Sequence, residues 1–238
     1  MSTWLKKLAF WRTPSVQLTA IQQDRLARWQ ALPRADDWEQ PFGSARLDIV
    51  DVESSGLNLR KDSLIAIGAV SLDRLLLQPT AAFEVVLRQE TVSSHENILI
   101  HGISGNIQRN GREPAEALLD FLEFNGKRPL VAYHAFFDEA MLARAMRHYL
   151  GFQYQAPWLD LAWLLPALFP EHYGGPVGLD TWLKRFGITV FARHNAISDC
   201  LATAQLTRIA IERARKKGIY HAQGLAALEN AKRRASRL

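Results

Sequence analysis

The sequence has a single cysteine, Cys200, and no long apolar run among its 238 residues. One cysteine excludes an intrachain disulfide and fits a reducing compartment, so we expect a cytoplasmic protein. No stretch approaches the roughly 20 apolar residues that a membrane-spanning helix needs, and we predict no membrane span. The apolar segment at residues 8–11 is too short for the core of an export signal.

The excess of positive over negative charge lies entirely at the end of the chain. The net charge is +5, yet from Arg208 onward nine basic residues face two acidic ones, which leaves 20 basic and 22 acidic residues before that point. A basic C-terminal segment is typical of an electrostatic contact with a polyanion such as nucleic acid. A solvated helix face that only aids solubility would have the same composition.

The chain divides into three segments by pattern. Residues 1–43 hold two amphipathic helical patterns and a Pro- and Gly-containing linker, and we expect them to form an N-terminal extension. Residues 44–215 have the length and apolar content of one domain with its own core. Residues 216–238 are predicted to be a basic C-terminal tail. The first helix, with Trp4 and Leu8 beside Lys6 and Lys7, either folds back on the domain or contacts a partner or membrane surface.

Within the central segment, strand patterns come first and helical patterns follow. Apolar runs near residues 46–53, 63–72 and 82–88, separated by turn signals, predict three antiparallel strands. Helices are then predicted at 114–123, 136–150, 160–168, 178–186 and 197–217, with a short strand at 129–133. This order predicts an α/β fold in which a mixed sheet, three antiparallel strands followed by parallel additions, is flanked by helices.

Two carboxylates end the first of these strands. Asp51 and Glu53 are two residues apart and precede the turn signal Ser54-Ser55-Gly56. Side chains at i and i+2 of a strand point to one face, so these acids are expected to project together. Their repulsion is relieved by a hard divalent cation, which prefers oxygen ligands. Solvated acids at a strand end are the alternative for an isolated pair.

Two further places carry acids near predicted helix starts. Asp138 follows the apolar strand 129–133, where its charge could also simply favour the positive end of a helix. His194 and Asp199 open the last long helix. They converge on one point only if His194 lies on the preceding loop, since five residues of regular helix separate two side chains by roughly 140°. Alone, this pair is equally typical of a capped helix start.

Together these motifs resemble those of the DEDDh, or DnaQ-like, family of 3'-5' exonucleases, which includes the proofreading subunit of bacterial DNA polymerase III. The order is D-x-E-x-x-G at 51–56, an acid after an apolar strand at 138, and H-x-A-x-x-D at 194–199. The resemblance covers about residues 46–215 and implies a ribonuclease H-like fold. Three further segments resemble motifs of the same family: residues 101–103 (H-G-I), 158–160 and 178–188.

The resemblance implies a role for each matching residue. Four positions match the family's metal-binding acids, and His194 matches its general base; the four acids are Asp51, Glu53, Asp138 and Asp199. Ser54 and Ser55 stand where many members have threonines, and a hydroxyl there retains a hydrogen bond to the substrate's terminal 3'-OH. Tyr133-His134 replaces the common His-Asn, which puts the contact of that asparagine in doubt.

Substrate contacts are expected beside these acids. Leu57 matches the apolar residue that packs on the terminal base, and it lies next to Gly56 and the two serines. Phe136 and Phe137 could add a stacking surface, although one of two adjacent aromatics at a helix start usually points into the core. A histidine, with an ordinary pKa of about 6.5, suits proton removal from water near neutral pH, and we expect activity to rise with pH in that region.

The sequence therefore predicts a 3'-5' exonuclease that uses two divalent ions, Mg²⁺ or Mn²⁺, and releases nucleoside 5'-monophosphates from single-stranded or frayed DNA ends. RNA or short oligoribonucleotides are the first alternative, because the choice of sugar depends on pocket shape. A non-catalytic nucleic-acid-binding or polymerase accessory module is the second. A polymerase or repair partner for the flanking segments is expected without a motif that names it.

Overall fold

The structure is a computed structural model, and it describes residues 16–172, 177–190 and 195–236. The amphipathic pattern predicted at residues 1–12 and the predicted base His194 lie outside this part of the chain. The described strands are β1 (Arg46–Ser54), β2 (Leu64–Asp73), β3 (Leu76–Val86), β4 (Leu130–Ala132) and β5 (Trp158–Asp160). The described α-helices are α1 (Ala20–Ala31), α2 (His95–His101), α3 (Gly105–Arg109), α4 (Pro114–Asn125), α5 (Ala135–Leu150), α6 (Leu161–Leu168), α7 (Leu179–Arg185), α8 (Ala196–Arg215) and α9 (Ala222–Ala235).

The five strands form one sheet in the order β3-β2-β1-β4-β5. Strands β1, β2 and β3 pair antiparallel, whereas β4 adds parallel to β1 and β5 adds parallel to β4. The predicted mixed sheet is confirmed, with its antiparallel meander followed by parallel additions. Strand β1 is central, with β2 on one side and β4 on the other, and helices pack on both of its faces.

Helices cover both faces of the sheet, and β1 contributes alternate residues to two cores. Val50 and Val52 belong to the core under α1, α4 and α5. Leu47 and Ile49 belong to the core under α6, α8 and α9. Because side chains of a strand alternate between faces, Asp51 and Glu53 continue the row of Leu47 and Ile49 toward α8. The apolar part of that row is buried, and its last two positions carry the acids.

Three helices and one strand were not predicted from the sequence. Helices α2 and α3 are only 7 and 5 residues long, too short for a clear helical period, and each begins at a serine whose hydroxyl accepts a backbone N–H. Strand β5 has 3 residues and runs directly into α6, so its pattern merges with that of the helix. Helix α9 was missed because Gly224 and the charged residues toward its end obscure its apolar pattern.

Both flanking segments contact the central domain. Phe42, in the predicted linker, is 3% exposed, and its backbone N–H donates to the Tyr220 carbonyl. Helix α9, in the predicted tail, packs on α6 and β5. Arg25 of α1 forms ion pairs with Glu116 and Asp120 of α4. The division of the chain into three segments, with boundaries after residues 43 and 215, remains a prediction. Truncation at either boundary would remove these contacts.

Across the described residues, no helix combines the length and the apolar character needed to cross a bilayer.

Candidate active site

The carboxyl end of β1 brings the first two predicted acids to the edge of a cleft. Asp51 is half-buried and Glu53 is 9% exposed. Both lie on the face covered by α8, as the strand alternation requires. Glu53 lines a cleft of about 670 Å³ together with Asn195 and Ala196 at the start of α8. The prediction that the two acids share one face agrees with this placement.

Asp138 joins this group from the opposite side of the sheet. It lies in the first turn of α5, is 5% exposed, and its Oδ1 accepts a hydrogen bond from the Val52 N–H at 3.1 Å. Strand β4 pairs with β1 only at Asp48 and Ile49, so it ends before it reaches Val52. Asp138 takes the place of the missing strand and satisfies a buried backbone donor between the two β1 acids.

The environment of Asp138 disfavours its charge. Burial and, second, the negative charge of Asp51 raise the pKa of Asp138 well above its ordinary value. The hydrogen bond from Val52 acts in the opposite direction and is outweighed. A buried carboxyl beside a second carboxylate is the arrangement in which a cation is most strongly favoured, because it removes both the repulsion and the desolvation cost.

The start of α8 supplies Asp199. The Asn195 side chain accepts a hydrogen bond from Ser198 N–H at 3.0 Å and caps the helix. Asp199 is 5% exposed one turn further on. The neighbouring Cys200 thiol has a pKa raised by burial and then by the negative charges of Asp51, Asp138 and Asp199, so these three acids surround it. Acids from three separated segments therefore converge at the end of β1.

Gly68 lets α8 approach the sheet at this point. It lies opposite Asp51 in the β1–β2 register, and its carbonyl accepts the Cys200 thiol at 3.2 Å. A Cβ atom built on Gly68 would stand 2.6 Å from the Ala196 Cβ and 2.7 Å from the Ala196 carbonyl carbon. The helix start, and with it Asp199, is close to Asp51 because position 68 has no side chain. A glycine inside a buried strand pattern is the sequence signal that could have indicated this approach.

We expect Gly68→Ala to lower activity and stability together. The added methyl group must push the start of α8 from the sheet, at a cost of about 1–3 kcal/mol in unfolding free energy. We expect kcat/KM for an oligonucleotide to fall roughly tenfold or more, since small misplacements of catalytic groups are costly. Gly43→Ala is the matched control, because nothing lies within 4 Å of a Cβ there. Equal Tm and activity in the two variants would contradict the role of Gly68.

The acids have the oxygen donors that a divalent cation prefers, but in the described residues their side chains are not placed closely enough to hold one. Within residues 16–172, 177–190 and 195–236, no three His, Cys, Asp or Glu side chains form a ready metal-ligand group. Carboxylate oxygens are nevertheless the donors that Mg²⁺ and Mn²⁺ prefer. Burial and, second, the negative charge of Asp51 raise the pKa of Asp138, and a cation bound there would offset both.

His134 holds the turn into α5 through its backbone. It adopts a left-handed conformation with φ of 64°, and its N–H donates to the Asp160 Oδ1 at 3.0 Å. Histidine and asparagine are both enriched among non-glycine residues with this conformation, so a histidine where the family commonly has asparagine preserves the turn. The His134 side chain is exposed. Its predicted contact with substrate remains a prediction.

Asp160 is in turn held by α9. Glu229 accepts from the Asp160 N–H at 3.0 Å, and the Arg233 guanidinium pairs with the Asp160 carboxylate at 2.9 Å. Asp160 is 2% exposed and serves both the turn at His134 and the start of α6. The buried Asp160 thus links α9 to the first turn of α5, where Asp138 lies.

The turn after β1 uses its serines internally. The Ser54 hydroxyl donates to the Gly56 carbonyl at 2.7 Å, and the Ser55 hydroxyl accepts from the Ser63 N–H at 2.9 Å. A Cβ on Gly56 would come within 2.5 Å of the Asp62 carboxylate, which accepts the Asn58 N–H. Each serine oxygen keeps a free lone pair, so the predicted contact with a 3'-OH remains a prediction.

Three apolar side chains were predicted to hold the terminal base. Leu57 is 85% exposed and Phe136 is 67% exposed, both beside the acids. Phe137 packs against the core under α5. One of the two adjacent phenylalanines therefore points inward, as the sequence indicated, and Leu57 and Phe136 are the apolar side chains that remain open to a ligand.

The opposite wall of the cleft was not predicted. Helices α2 and α3 present Leu99, Ile100 and Ile107, which are 72%, 54% and 50% exposed and line the cleft with Glu53. The Asn97 side chain donates to the Ser55 carbonyl and ties α2 to the turn after β1. The H-G-I motif marks the end of α2, where Gly102 has φ of 72°. The motif therefore identified the end of α2, but it did not predict that α2 and α3 form an apolar wall of the cleft.

The fold and the acid group define a ribonuclease H-like protein, and comparisons with known proteins give the family. The family model described as Exonuclease (RNase_T) matches residues 49–207. The chain therefore belongs to this exonuclease family, and its recognition as a DnaQ-like 3'-5' exonuclease is confirmed. The matched range begins within β1 and ends within α8, so it includes all four acids.

Similar proteins include PolC-type DNA polymerase III sequences. The Thermotoga maritima protein is 28% identical over 181 residues, and the Bacillus subtilis protein is 30% identical over 175 residues. These alignments cover 76% and 73% of this chain but only 13% and 12% of those proteins. The similarity is thus to one small part of much longer polymerases.

Solved structures with the same fold include two nucleases. E. coli Exonuclease I in complex with a dT13 oligonucleotide has a TM-score of 0.61 at 18% identity, covering 72% of this chain and 42% of that one. Cell-death related nuclease 4 has a TM-score of 0.63 at 13% identity, covering 71% and 64%. At these identities the similarity establishes the fold.

Proposed function

We propose that this chain is a metal-dependent 3'-5' exonuclease that shortens single-stranded or frayed DNA ends and releases nucleoside 5'-monophosphates. The observation that carries the proposal is the convergence of acids from β1, α5 and α8 around Cys200 at the mouth of a cleft. Burial and then the negative charge of Asp51 raise the pKa of Asp138, and groups with such shifts cluster at functional sites. The family match supports the same reaction.

The proposed roles follow from position. Asp51, Glu53, Asp138 and Asp199 would hold two divalent ions, Mg²⁺ or Mn²⁺. Bound there, the ions would supply the positive charge that offsets the developing charge on the phosphate and on the leaving 3'-oxygen. His194 removes a proton from the attacking water. Leu57 and Phe136 hold the unpaired terminal base by apolar contact.

Digestion of 5'-labelled oligonucleotides tests the proposal. Matched single-stranded DNA and RNA are incubated with Mg²⁺, with Mn²⁺ and with EDTA, beside Asp51→Ala. We expect a metal-dependent ladder that shortens from the 3' end and is absent with EDTA and in the variant. If neither strand shortens with either metal while both still bind, the chain is a nucleic-acid-binding module and the proposal is wrong.

DNA is the substrate we propose over RNA. Similar proteins include DNA polymerases and an exonuclease solved with a deoxyoligonucleotide, which supports DNA. The faster ladder in the same assay decides, because the two strands differ only at the 2' position that a pocket reads by shape. A polymerase or repair partner and a cytoplasmic location remain predictions.

We expect Mg²⁺ or Mn²⁺ to raise the Tm. A ligand at 100 times its Kd stabilises the folded state by about 2.7 kcal/mol, and a chain of this size gains roughly 2–4 °C for each kcal/mol. The metal relieves the repulsion between Asp51 and Asp138, so Asp51→Asn is expected to lose most of the shift. An unchanged Tm at saturating metal would count against a metal site at these acids.

A further inference from the structure

A basic pocket lies beside the acid group, between the turn after β1 and the outer face of α5. It has a volume of about 310 Å³. Arg60, Lys61, Arg144 and His148 supply its polar rim, and Leu64 and Met141 supply apolar surface within it. We refer to it as the Arg144 pocket. It is separate from the cleft lined by α2 and α3.

The cations of the Arg144 pocket are not used in ion pairs. Within the described residues, neither Arg60, Lys61 nor Arg144 lies within 4 Å of a carboxylate oxygen, whereas Arg25 and Arg46 are each paired. The nearest turn acid, Asp62, accepts hydrogen bonds from the turn itself. The negative charges of Glu90 and Glu113 reach Tyr149 in the wall of the pocket, but within the described residues neither carboxylate forms an ion pair with the pocket cations. The positive charge of these cations is therefore available to an anionic ligand.

Arg144 is held in place for such a ligand. Its Nη1 donates to the Leu59 carbonyl at 2.9 Å, which fixes the guanidinium against the turn. The side chain is half-buried, so its position costs little further entropy when an anion binds. The remaining N–H groups of a guanidinium form a planar fork that matches two phosphate oxygens.

The pocket lies at a distance from the acids that a nucleic-acid strand can span. Arg144 and His148 follow Asp138 by six and ten positions on α5, which places them roughly 9 and 15 Å further along the helix axis. The turn after β1 runs from Glu53 past the exposed Leu57 to Arg60 and so connects the two sites. Single-strand binding sites extend over several nucleotides in this way.

We propose that the Arg144 pocket binds backbone phosphates of the substrate strand a few nucleotides upstream of the 3' end. This inference rests on the proposed exonuclease function, and it adds a second contact that sets the minimum length for tight binding. The strand enters over Arg60 and Lys61, and its 3' end lies at the four acids. Short products lose the pocket contact and dissociate.

The test compares two double variants that remove equal charge. Arg60→Gln/Lys61→Gln removes two cations of the pocket. Arg34→Gln/Lys184→Gln removes two exposed cations that lie outside the pocket and outside the basic C-terminal segment. Binding of a labelled single-stranded DNA 12-mer is measured in EDTA across a salt series. Hydrolysis of the 12-mer and of a trimer is measured with Mg²⁺.

We expect the pocket variant to bind the 12-mer about tenfold more weakly, with a salt slope reduced by about 1.4, since each single-strand phosphate contact contributes about 0.7. Its kcat/KM for the trimer should stay within twofold of the parent protein. The control double variant, Arg34→Gln/Lys184→Gln, should leave all three quantities nearly unchanged. Arg144→Lys keeps the charge but loses the fork, and we expect an intermediate loss on the 12-mer.

Other outcomes separate the two proposals. Equal weakening by both double variants would mean a general electrostatic effect, and equal loss on trimer and 12-mer would place the cations at the reaction itself. Either result would contradict the proposal that the Arg144 pocket binds upstream phosphates. A parent protein that binds the 12-mer with a pocket-dependent salt slope but hydrolyses nothing would retain the pocket and refute the exonuclease. A Tm within 2 °C of the parent shows that each variant is folded.

Discussion

Asp138→Asn is expected to reduce exonuclease turnover by roughly 1,000-fold while the protein stays folded. A metal ligand at the reacting phosphate supplies several kcal/mol of transition-state stabilisation, and each 1.4 kcal/mol corresponds to a tenfold change in rate. Asparagine keeps the Oδ1 that accepts the Val52 N–H, so the contact between β1 and α5 retains its buried hydrogen bond. Steady-state hydrolysis of a labelled oligonucleotide with Mg²⁺ measures the effect.

The same substitution is expected to raise the Tm of the metal-free protein. Burial and Asp51 raise the pKa of Asp138 in the folded state, so the folded protein binds more protons than the unfolded chain. Stability therefore falls as the pH rises from the ordinary carboxyl pKa of about 3.9 toward the raised value. An amide at this position does not titrate, so Tm measured in EDTA between pH 4 and pH 8 should decline less in the variant.

Asp48→Asn is the matched control. Asp48 is fully buried on β1, on the face opposite Asp51 and Glu53, where Arg46, Ser71 and Asn125 contact its carboxylate. We expect the folded variant to keep its turnover within a few-fold. Similar losses in Asp48→Asn and Asp138→Asn would mean that the rate follows the integrity of β1, and Asp138 would then have no direct role.

His194→Ala is expected to lower turnover by about 100-fold or more, with binding of DNA nearly intact. A positioned general base contributes roughly 10² to 10⁴ in rate, and the remaining acids continue to hold the substrate. His194 directly precedes Asn195, the capping residue of α8, and comes five residues before Asp199. Separate measurements of kcat and of the Kd for single-stranded DNA distinguish a lost base from a lost contact.

The dependence of the hydrolysis rate on pH is a sharper test of the role of His194. Only the neutral imidazole accepts a proton, so activity of the parent protein should rise with pH around the ordinary histidine pKa of about 6.5. The residual activity of His194→Ala should lack this rise. His172→Ala, at an exposed histidine that packs near Phe169, is the control and should retain the parent profile. An unchanged rate in His194→Ala would remove this histidine from the mechanism.

Local periodicity predicted that the first two acids share a face, whereas Asp138 and Asp199 were assigned to the site by the family resemblance. Two carboxylates at i and i+2 of a strand share a face in any sheet, and this placed Asp51 and Glu53 together. Asp138 and Asp199 each lie in the first turn of a helix whose start was recognisable from the residues before it. The apolar runs of β1, β2 and β3 are separated by turn signals, and this pattern likewise predicts an antiparallel meander.

What the sequence could not predict depends on contacts between distant segments. Gly68 matters only because α8 packs 128 positions further along the chain, at Ala196. The raised pKa of Asp138 requires both burial and Asp51, and neither is visible from residues 129–138.

Arg144 and Lys61 are separated by three strands and three helices, so their common pocket exists only when α5 lies against the turn after β1. Helix α9 holds Asp160 through two side chains that look like an ordinary solvated face in the sequence. Periodicity acts within one element, and it determined the long strands and helices and the shared face of Asp51 and Glu53. Tertiary packing alone decided their charge state, the walls of the cleft and the path open to a strand, because each of these depends on the distance between elements.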